Sequence, residues 1–336
     1  MEYRYLGASG LRVSVMSLGT MTFGATTSER QARQMVDLAR FKGINFIDTA
    51  DAYNDGHSEE ILGKIIKKQR KCWIVATKVG QQDGPPERKM GLSKKWMLEA
   101  IDNSLKRLQM DYIDIYYLHH VDWDTPLEES IAGMGEIISR GKVQYWGFSN
   151  HRAWQVGELV RLSDQLGVPR PIIAQPLYNL VNRSPEMDLL PACEYYGIGV
   201  VPYSALARGM LTGKYTLGMD APKNSRAARG DPSILNRDMK KESFRIVEKL
   251  KRYLKSSKMS PSDFAVQWLL NNKLVTSVIG GPRTVPQWQS YINALRHPFS
   301  PEDEAFANTL VAPGHSATHG YTWPRYPVQG RRAINC

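Results

Sequence analysis

Four kinds of titratable side chain follow short apolar runs in the first third of the chain, and together they could move a proton. Asp48 and then Tyr53 follow the run 45–47, Lys78 follows 73–76, and His119 and His120 follow 113–118. A tyrosine hydroxyl titrates near ~10, and a neighbouring cation favours its ionised form. Lys78 beside Tyr53 would therefore make the phenol a competent general acid, with Asp48 holding Lys78 charged. His119 could donate to a carbonyl oxygen and fix its orientation. Acid catalysis of this kind contributes roughly 10²–10⁴ in rate and suits protonation of an alkoxide. Taken singly, a strand-end Asp or Lys fits an ion pair and a Tyr fits the core. Their joint placement behind three successive apolar runs is what points to chemistry.

That chemistry requires elements that bring the ends of those runs to one face. Eight short, β-rich apolar runs recur along the chain, at 16–18, 45–47, 73–76, 113–118, 143–147, 172–174, 198–201 and 277–279. Amphipathic stretches separate them. Ser28 with Gln31 forms a capping box ahead of Met35, Val36, Leu38 and Ala39, and Gly43 stops that helix. Ser93 precedes Met97, Ile101, Leu105 and Leu108, and Pro261 follows Ser260 at another helix start. Strands alternating with helices imply a parallel sheet, and eight such units without a composition break predict a single (β/α)8 TIM barrel over 1–336. The β-formers flanking Ala8-Ser9-Gly10 predict an N-terminal β-hairpin over 1–15. In such a barrel the site lies at the C-terminal strand ends, under the long loops of that face. Residues 214–238, rich in Gly, Pro, Ser and Arg, read as one long loop, and long loops in compact domains are usually functional.

The 336 residues hold 44 Lys and Arg against 33 Asp and Glu, a formal charge of +11, with 42% hydrophobic and 23% charged residues. This is a globular composition, which excludes a disordered or fibrous chain. The basic runs 64–71 and 249–252 interleave apolar residues and read as solvated helix faces, with no nucleic-acid module beside them. No run approaches the ~18 apolar residues of a membrane span, the N-terminus lacks a signal-peptide core, and Cys72, Cys193 and Cys336 form no CxxC pair. Together these predict a cytoplasmic protein with no specific nucleic-acid or membrane partner and leave the oligomeric state open, a homo-oligomer included. No metal is expected: His119 and His120 with Asp122 lack ligand spacing, and Pro313, Gly314 and Gly320 oppose a helix that would align His315 with His319.

Several segments carry a resemblance. Gly19-Thr20-Met21-Thr22-Phe23-Gly24, Phe46-Ile47-Asp48-Thr49-Ala50-Asp51-Ala52-Tyr53, Ala76-Thr77-Lys78, Tyr117-Leu118-His119, Gly147-Phe148-Ser149-Asn150, Gln175-Pro176-Leu177-Tyr178-Asn179 and Leu211-Thr212-Gly213-Lys214-Tyr215 closely resemble the aldo-keto reductase superfamily. The resemblance runs from about residue 3 to 295. It implies a barrel that binds NADPH without a Rossmann domain, in keeping with the lack of a G-x-G-x-x-G after any strand. It further implies that Asp48, Tyr53, Lys78 and His119 are the catalytic tetrad of a carbonyl reductase, an oxidoreductase acting on an aldehyde or ketone.

Carried over by position, Gly19, Thr20, Met21 and Asp48 line the cofactor, and Ser149, Asn150 and Gln175 hold the nicotinamide carboxamide. Tyr203 matches the aromatic that stacks on the ring. Ser204, Leu206, Gly209 and Lys214 match the loop across the pyrophosphate, with Arg226 in the loop that follows. Gly281, Arg283, Gln287 and Tyr291 match the adenosine end, where the Arg283 fork suits a 2′-phosphate and favours NADPH over NADH. Phe23, Tyr53 and Trp123 are candidates for an aromatic substrate wall, and the tail 313–336, with Tyr321, Trp323 and Tyr326, for a cover over the barrel mouth or a packed side element. The longer loop 212–231 and Ser225-Arg226 look like the branch of the potassium channel β subunits and their bacterial reductase relatives. That branch implies an alternative, an NADPH-binding regulatory subunit of a protein partner with slow residual chemistry. The channel subunits carry asparagine where this chain has His119, which points back to a working reductase.

Overall fold

Alternation of apolar residues along the strands decides which side chains enter the barrel. The computed structural model describes residues 1–81 and 91–319, and eight parallel strands within them form one sheet. In chain order, after the hairpin strands β1 (Tyr3–Tyr5) and β2 (Arg12–Ser14), these are β3 (Met16–Gly19), β4 (Phe46–Asp48), β5 (Ile74–Val79), β6 (Ile113–Leu118), β7 (Val143–Ser149), β8 (Ile173–Gln175), β9 (Gly199–Val200) and β10 (Val278–Gly280). The spatial order is β10-β3-β4-β5-β6-β7-β8-β9. The ring closes where Thr276 N–H donates to Val200 O at 2.8 Å and Ile279 N–H to Pro202 O at 3.2 Å.

Phe46, Ala76, Ile115, Tyr117, Ile173, Val201 and Ile279 fill the barrel interior, whereas Ile47, Val75, Val79, Tyr116 and Leu118 face the helices. Because strand side chains alternate, Asp48 shares the inward face with Phe46, and Lys78 with Ala76. The hairpin contributes Leu6 and Val13 to the interior core. It sits at the N-terminal ends of β8 and β9: Ala8 N–H donates to Gly197 O at 2.6 Å, and a Cβ on Gly7 would lie 2.5 Å from that same oxygen. One end of the barrel is thereby sealed and the other left for the loops.

Helices cover the outside: α1 (Glu29–Phe41), α2 (His57–Ile66), α3 (Lys94–Leu108), α4 (Leu127–Ser139), α5 (Ala153–Leu166), α6 (Leu189–Tyr195), α7 (Pro232–Arg237), α8 (Lys241–Tyr253), α9 (Pro261–Asn271), α10 (Val285–Ala294) and α11 (Pro301–Leu310). The expected caps are present. Ser28 and Gln31 form the box on α1, Gly43 follows that helix at φ 76°, the Ser93 hydroxyl accepts from Trp96 N–H, and Ser260 caps α9 with Pro261 next. The interval 214–238 is not one loop to its end. Asp231 accepts from Ser233 N–H at 2.8 Å, and Pro232 then starts α7, an N-cap and N1 pair that ends the loop early.

α2 and α3 approach closely at Gly63, where a Cβ would meet Leu108 O, C and Cα at 2.4–2.7 Å. These are backbone atoms and cannot rotate away. Gly63→Ala is therefore expected to destabilise the fold by roughly 1–3 kcal/mol, read as a lowered thermal midpoint. An unchanged midpoint would mean the two helices separate freely.

Of the tail, residues 313–319 are described: Arg183 N–H donates to His315 O and Ala317 N–H to Val181 O, each at 2.8 Å. This part lies along the loop after β8. Tyr321, Trp323 and Tyr326 fall outside the described residues. Among the described residues no helix is long and apolar enough to cross a membrane, and no group of three or more His, Cys, Asp or Glu side chains could hold a metal ion.

Candidate active site

β4 and β5 place Asp48 and Lys78 side by side on the inward face. Lys78, fully buried, donates from Nζ to Asp48 Oδ1 at 2.5 Å and to Thr49 O at 2.6 Å. The third Nζ contact is the Tyr53 hydroxyl at 3.2 Å. Lys78 thus belongs to β5 itself instead of following the strand, as the short apolar run had suggested. Tyr53 reaches it through a tight turn in which Asn54 and Asp55 take left-handed φ of 52° and 54°. The Asn54 amide donates to Met21 O at 3.0 Å and Phe23 O at 2.7 Å, which ties that turn to the loop after β3. Behind it, buried Glu59 of α2 accepts from Thr77 Oγ1 at 2.5 Å and Arg107 Nε at 2.7 Å, fixing α2 against β5.

His119 extends β6 by one ladder bond, its N–H donating to Val79 O at 2.8 Å. Its ring meets Tyr53 edge-on at 5.9 Å and stacks on His120 at 4.6 Å and 11°. Tyr53, His119 and His120 all line one cleft of about 480 Å³, with Lys78 beneath its floor.

Burial dominates the titration of these groups. It opposes the Lys78 charge, but Asp48 and then Tyr53 outweigh it and hold the ammonium above its ordinary range. For Asp48 burial pushes the carboxyl up against the opposing pull of Lys78 and the Gln175 amide. The expectation that Lys78 would lower Tyr53 is corrected: burial raises the hydroxyl, Lys78 lowers it by less, and the net direction is up. The phenol is thus protonated at neutral pH, the state a proton donor needs. Burial, with His120 and Lys78 adding to it, drives His119 well below the usual imidazole range, so its ring is neutral there.

The rest of the cleft comes from later strand ends. Ser149 closes β7 and donates to Gln175 O at 2.6 Å, while the Gln175 amide donates to Asp48 Oδ2 at 2.8 Å. Asn150, at φ 62°, accepts from Tyr203 OH at 2.8 Å and donates to His119 O at 2.9 Å. After β9 the chain turns through positive φ at Ser204, Ala207, Arg208 and Gly209 and arches over the opening. Arg226 faces Asp231 at 3.5 Å, and Arg283 N–H is held by the Gln287 side chain at 2.9 Å.

This single cleft gathers Gly19, Thr20, Met21, Asp48, Ser149, Asn150, Gln175, Tyr203 and Ser204. It also gathers Leu206, Gly209, Lys214, Arg226, Gly281, Arg283, Gln287 and Tyr291. Two of the wall candidates lie elsewhere. Phe23 is fully buried in the helix-side core because 23–27 folds back, Gly24 N–H donating to Thr27 O at 3.0 Å. Trp123 is 54% exposed and is not among the lining residues. Conversely, the sequence reading missed Arg208, Arg229 and Arg237, which line the cleft from the arching segment and α7. Their signal was the density of arginine in 208–237.

A family model, the aldo/keto reductase family, matches residues 15–308. The chain belongs to the aldo/keto reductase family. Among curated relatives, a "Probable voltage-gated potassium channel subunit beta" of Oryza sativa subsp. japonica is 38% identical over 303 residues, covering 88% of this chain and 91% of the relative. One of the same name from Arabidopsis thaliana is 36% identical with the same coverage. The "Uncharacterized oxidoreductase YrpG" of Bacillus subtilis (strain 168) is 34% identical over 336 residues, 96% of this chain and 100% of the relative. Family membership and the bacterial relative support an oxidoreductase, in a family that generally uses NAD(P)H.

Proposed function

We propose that the protein is an NADPH-dependent reductase of aldehydes or ketones, with Tyr53 as the proton donor. The observation that carries this reading is the Lys78 ammonium, 2.5 Å from Asp48 and 3.2 Å from the Tyr53 hydroxyl under the wall of the cleft. The residues suit the cofactor: the cleft joins a neutral, hydrogen-bonding end at Ser149, Asn150 and Gln175 to a cationic one at Lys214, Arg226 and Arg283. Opposed amide donors and acceptors suit a carboxamide, and guanidinium groups suit phosphates. NADPH supplies a hydride from C4 of its nicotinamide when bound.

The chain's own residues do the rest. Tyr53 gives its proton to the carbonyl oxygen as negative charge develops there, and Lys78 at 3.2 Å stabilises the phenolate left behind. Asp48 keeps Lys78 charged and fixed, and Gln175 holds the other Asp48 oxygen at 2.8 Å. Neutral His119 offers an N–H to the carbonyl oxygen without competing for its proton. The test is a screen of aldehydes, ketones, quinones and keto-sugars for carbonyl-dependent NADPH oxidation. Multiple fast turnovers with any of them support the reading, and none across the screen contradicts it.

Cofactor choice is placed on Arg283. Arg283→Ala should weaken NADPH binding by roughly 10–100-fold, as expected for a charge-assisted hydrogen bond, with NADH far less affected. Fluorescence titration with both nucleotides measures this, and equal losses would remove the 2′-phosphate role. The names of the two plant relatives favour a second reading, a nucleotide-binding regulatory subunit with slow chemistry. A stable co-purifying partner together with failure of the carbonyl screen would select it.

A further inference from the structure

One cation of the cleft stands beside the histidine pair. Arg208 donates to Asp238 at 2.7 Å and Arg226 faces Asp231 at 3.5 Å, so both are matched by carboxylates of the arching segment and α7–α8 junction. Arg237, half-buried, ends α7, where the terminal carbonyls favour a cation. It lines the cleft and also a small side cavity bounded by Asp238, Asn182 and Ser316. Its charge reaches the His120 ring, which burial, His151, Lys78 and Arg237 together push down to about 4. His120 stacks on His119, and His119 meets Tyr53 edge-on, so Arg237 belongs to the end of the cleft where the proton is delivered.

The hydrogen bonds also settle what His120 presents. Asn150 Oδ1 accepts from Tyr203 and its Nδ2 donates to His119 O, which fixes the amide orientation. The same Nδ2 stands 3.2 Å from His120 Nδ1 and can only donate, so Nδ1 is the acceptor and Nε2 carries the proton. The His120 ring is neutral at physiological pH, with one N–H donor. Next to the proton donor, then, stand a neutral donor and a permanent cation, and an uncharged aldehyde would use only the first.

We propose that the carbonyl substrate carries an anionic group, a carboxylate or phosphate, bound by Arg237 with the His120 Nε2–H beside it. This rests on the reductase reading above and names the substrate class of the same site. A planar guanidinium binds either anion through paired hydrogen bonds, and partial exclusion of water strengthens them. Because both histidines are neutral, the preference for an anion is concentrated on Arg237, which makes it separable by substitution.

The experiment compares near-isosteric carbonyl pairs, succinic semialdehyde against butanal and 4-carboxybenzaldehyde against benzaldehyde, in the wild type, Arg237→Gln and Arg237→Lys. A phosphorylated aldehyde, glyceraldehyde 3-phosphate against glyceraldehyde, distinguishes phosphate from carboxylate. The wild type should favour the anionic member of at least one pair. Arg237→Gln should lower the anionic-to-neutral ratio of kcat/KM by roughly 10–100-fold, the size of a charge-assisted hydrogen bond, through KM more than kcat. Arg237→Lys should restore part of it. Titration of NADPH-loaded enzyme with 4-(hydroxymethyl)benzoate and benzyl alcohol gives the same contrast without turnover. No anionic preference in the wild type, or equal loss for both members of each pair, overturns the proposal while leaving the reductase reading intact. A loss confined to NADPH affinity also overturns it and assigns Arg237 to the cofactor. Absence of turnover with every carbonyl and every variant overturns both.

Discussion

Tyr53→Phe should lower carbonyl-dependent NADPH oxidation by at least roughly 10²-fold and as much as 10⁴-fold, the range for loss of a positioned proton donor. NADPH affinity should change little, because the substitution removes one oxygen and leaves the ring that lines the cleft. The fall should appear in kcat and kcat/KM together, the pattern for an interaction made only in the transition state. The phenol is also one of only three contacts of Lys78 Nζ, so a modest loss of stability should accompany the lost activity. Steady-state kinetics with a fluorescence titration of NADPH separates the two effects. Turnover within a few-fold of wild type would remove Tyr53 from the reaction.

Lys78→Met combines a loss of chemistry with a loss of stability. Without the ammonium the phenolate has no cation beside it, so turnover should fall by a factor comparable with the Tyr53 change. Asp48, 2% exposed, is left as a buried carboxyl without its partner, which costs roughly 3–5 kcal/mol. The sign with pH follows from burial, which raises the Asp48 carboxyl and is then no longer opposed by Lys78. A carboxyl raised in the folded state makes the native protein bind more protons than the unfolded chain. Stability is therefore lost as pH rises from the ordinary carboxylate range toward the raised folded value, and is recovered on acidification within that window. Thermal melts of Lys78→Met should improve on going from neutral pH toward 5, and those of Lys78→Met with Asp48→Asn should not share that recovery. Identical pH profiles for the two would show that Asp48 does not carry the penalty.

The placement of these residues was legible because strand alternation is local. Phe46 and Asp48 share one face of β4, and Ala76 and Lys78 share one face of β5, so the apolar residue that fills the barrel announces where the polar one points. The caps at Ser28, Ser93 and Ser260 were legible for the same reason, since each acts within three residues. Loops were not. Phe23 has the composition of a wall residue, but its segment returns through Thr27 and buries the ring on the helix side, a contact that no periodicity encodes.

Arg208, Arg229 and Arg237 were hidden similarly, because which arginines of 208–237 turn inward depends on the path set by positive φ at residues 204–209 and by the Asp231 cap. The Tyr53 titration was misjudged in direction. The sequence supplies its neighbouring cation but not the degree of burial, and burial is the larger influence. The family segments around Asp48, Ser149 and Gln175 mark the one cleft because all three sit at strand ends of the same ring.

The central claim is that this cleft delivers hydride and proton to a carbonyl, and isotope transfer tests it most directly. The protein would be incubated with a carbonyl substrate and NADPH deuterated at each C4 position in turn, and the alcohol product examined by mass spectrometry. The account predicts deuterium on the carbinol carbon from one of the two labelled forms, in the wild type and not measurably in Tyr53→Phe. Alcohol formed without deuterium from either form, or NADPH bound tightly with no alcohol formed from any carbonyl tried, would contradict it.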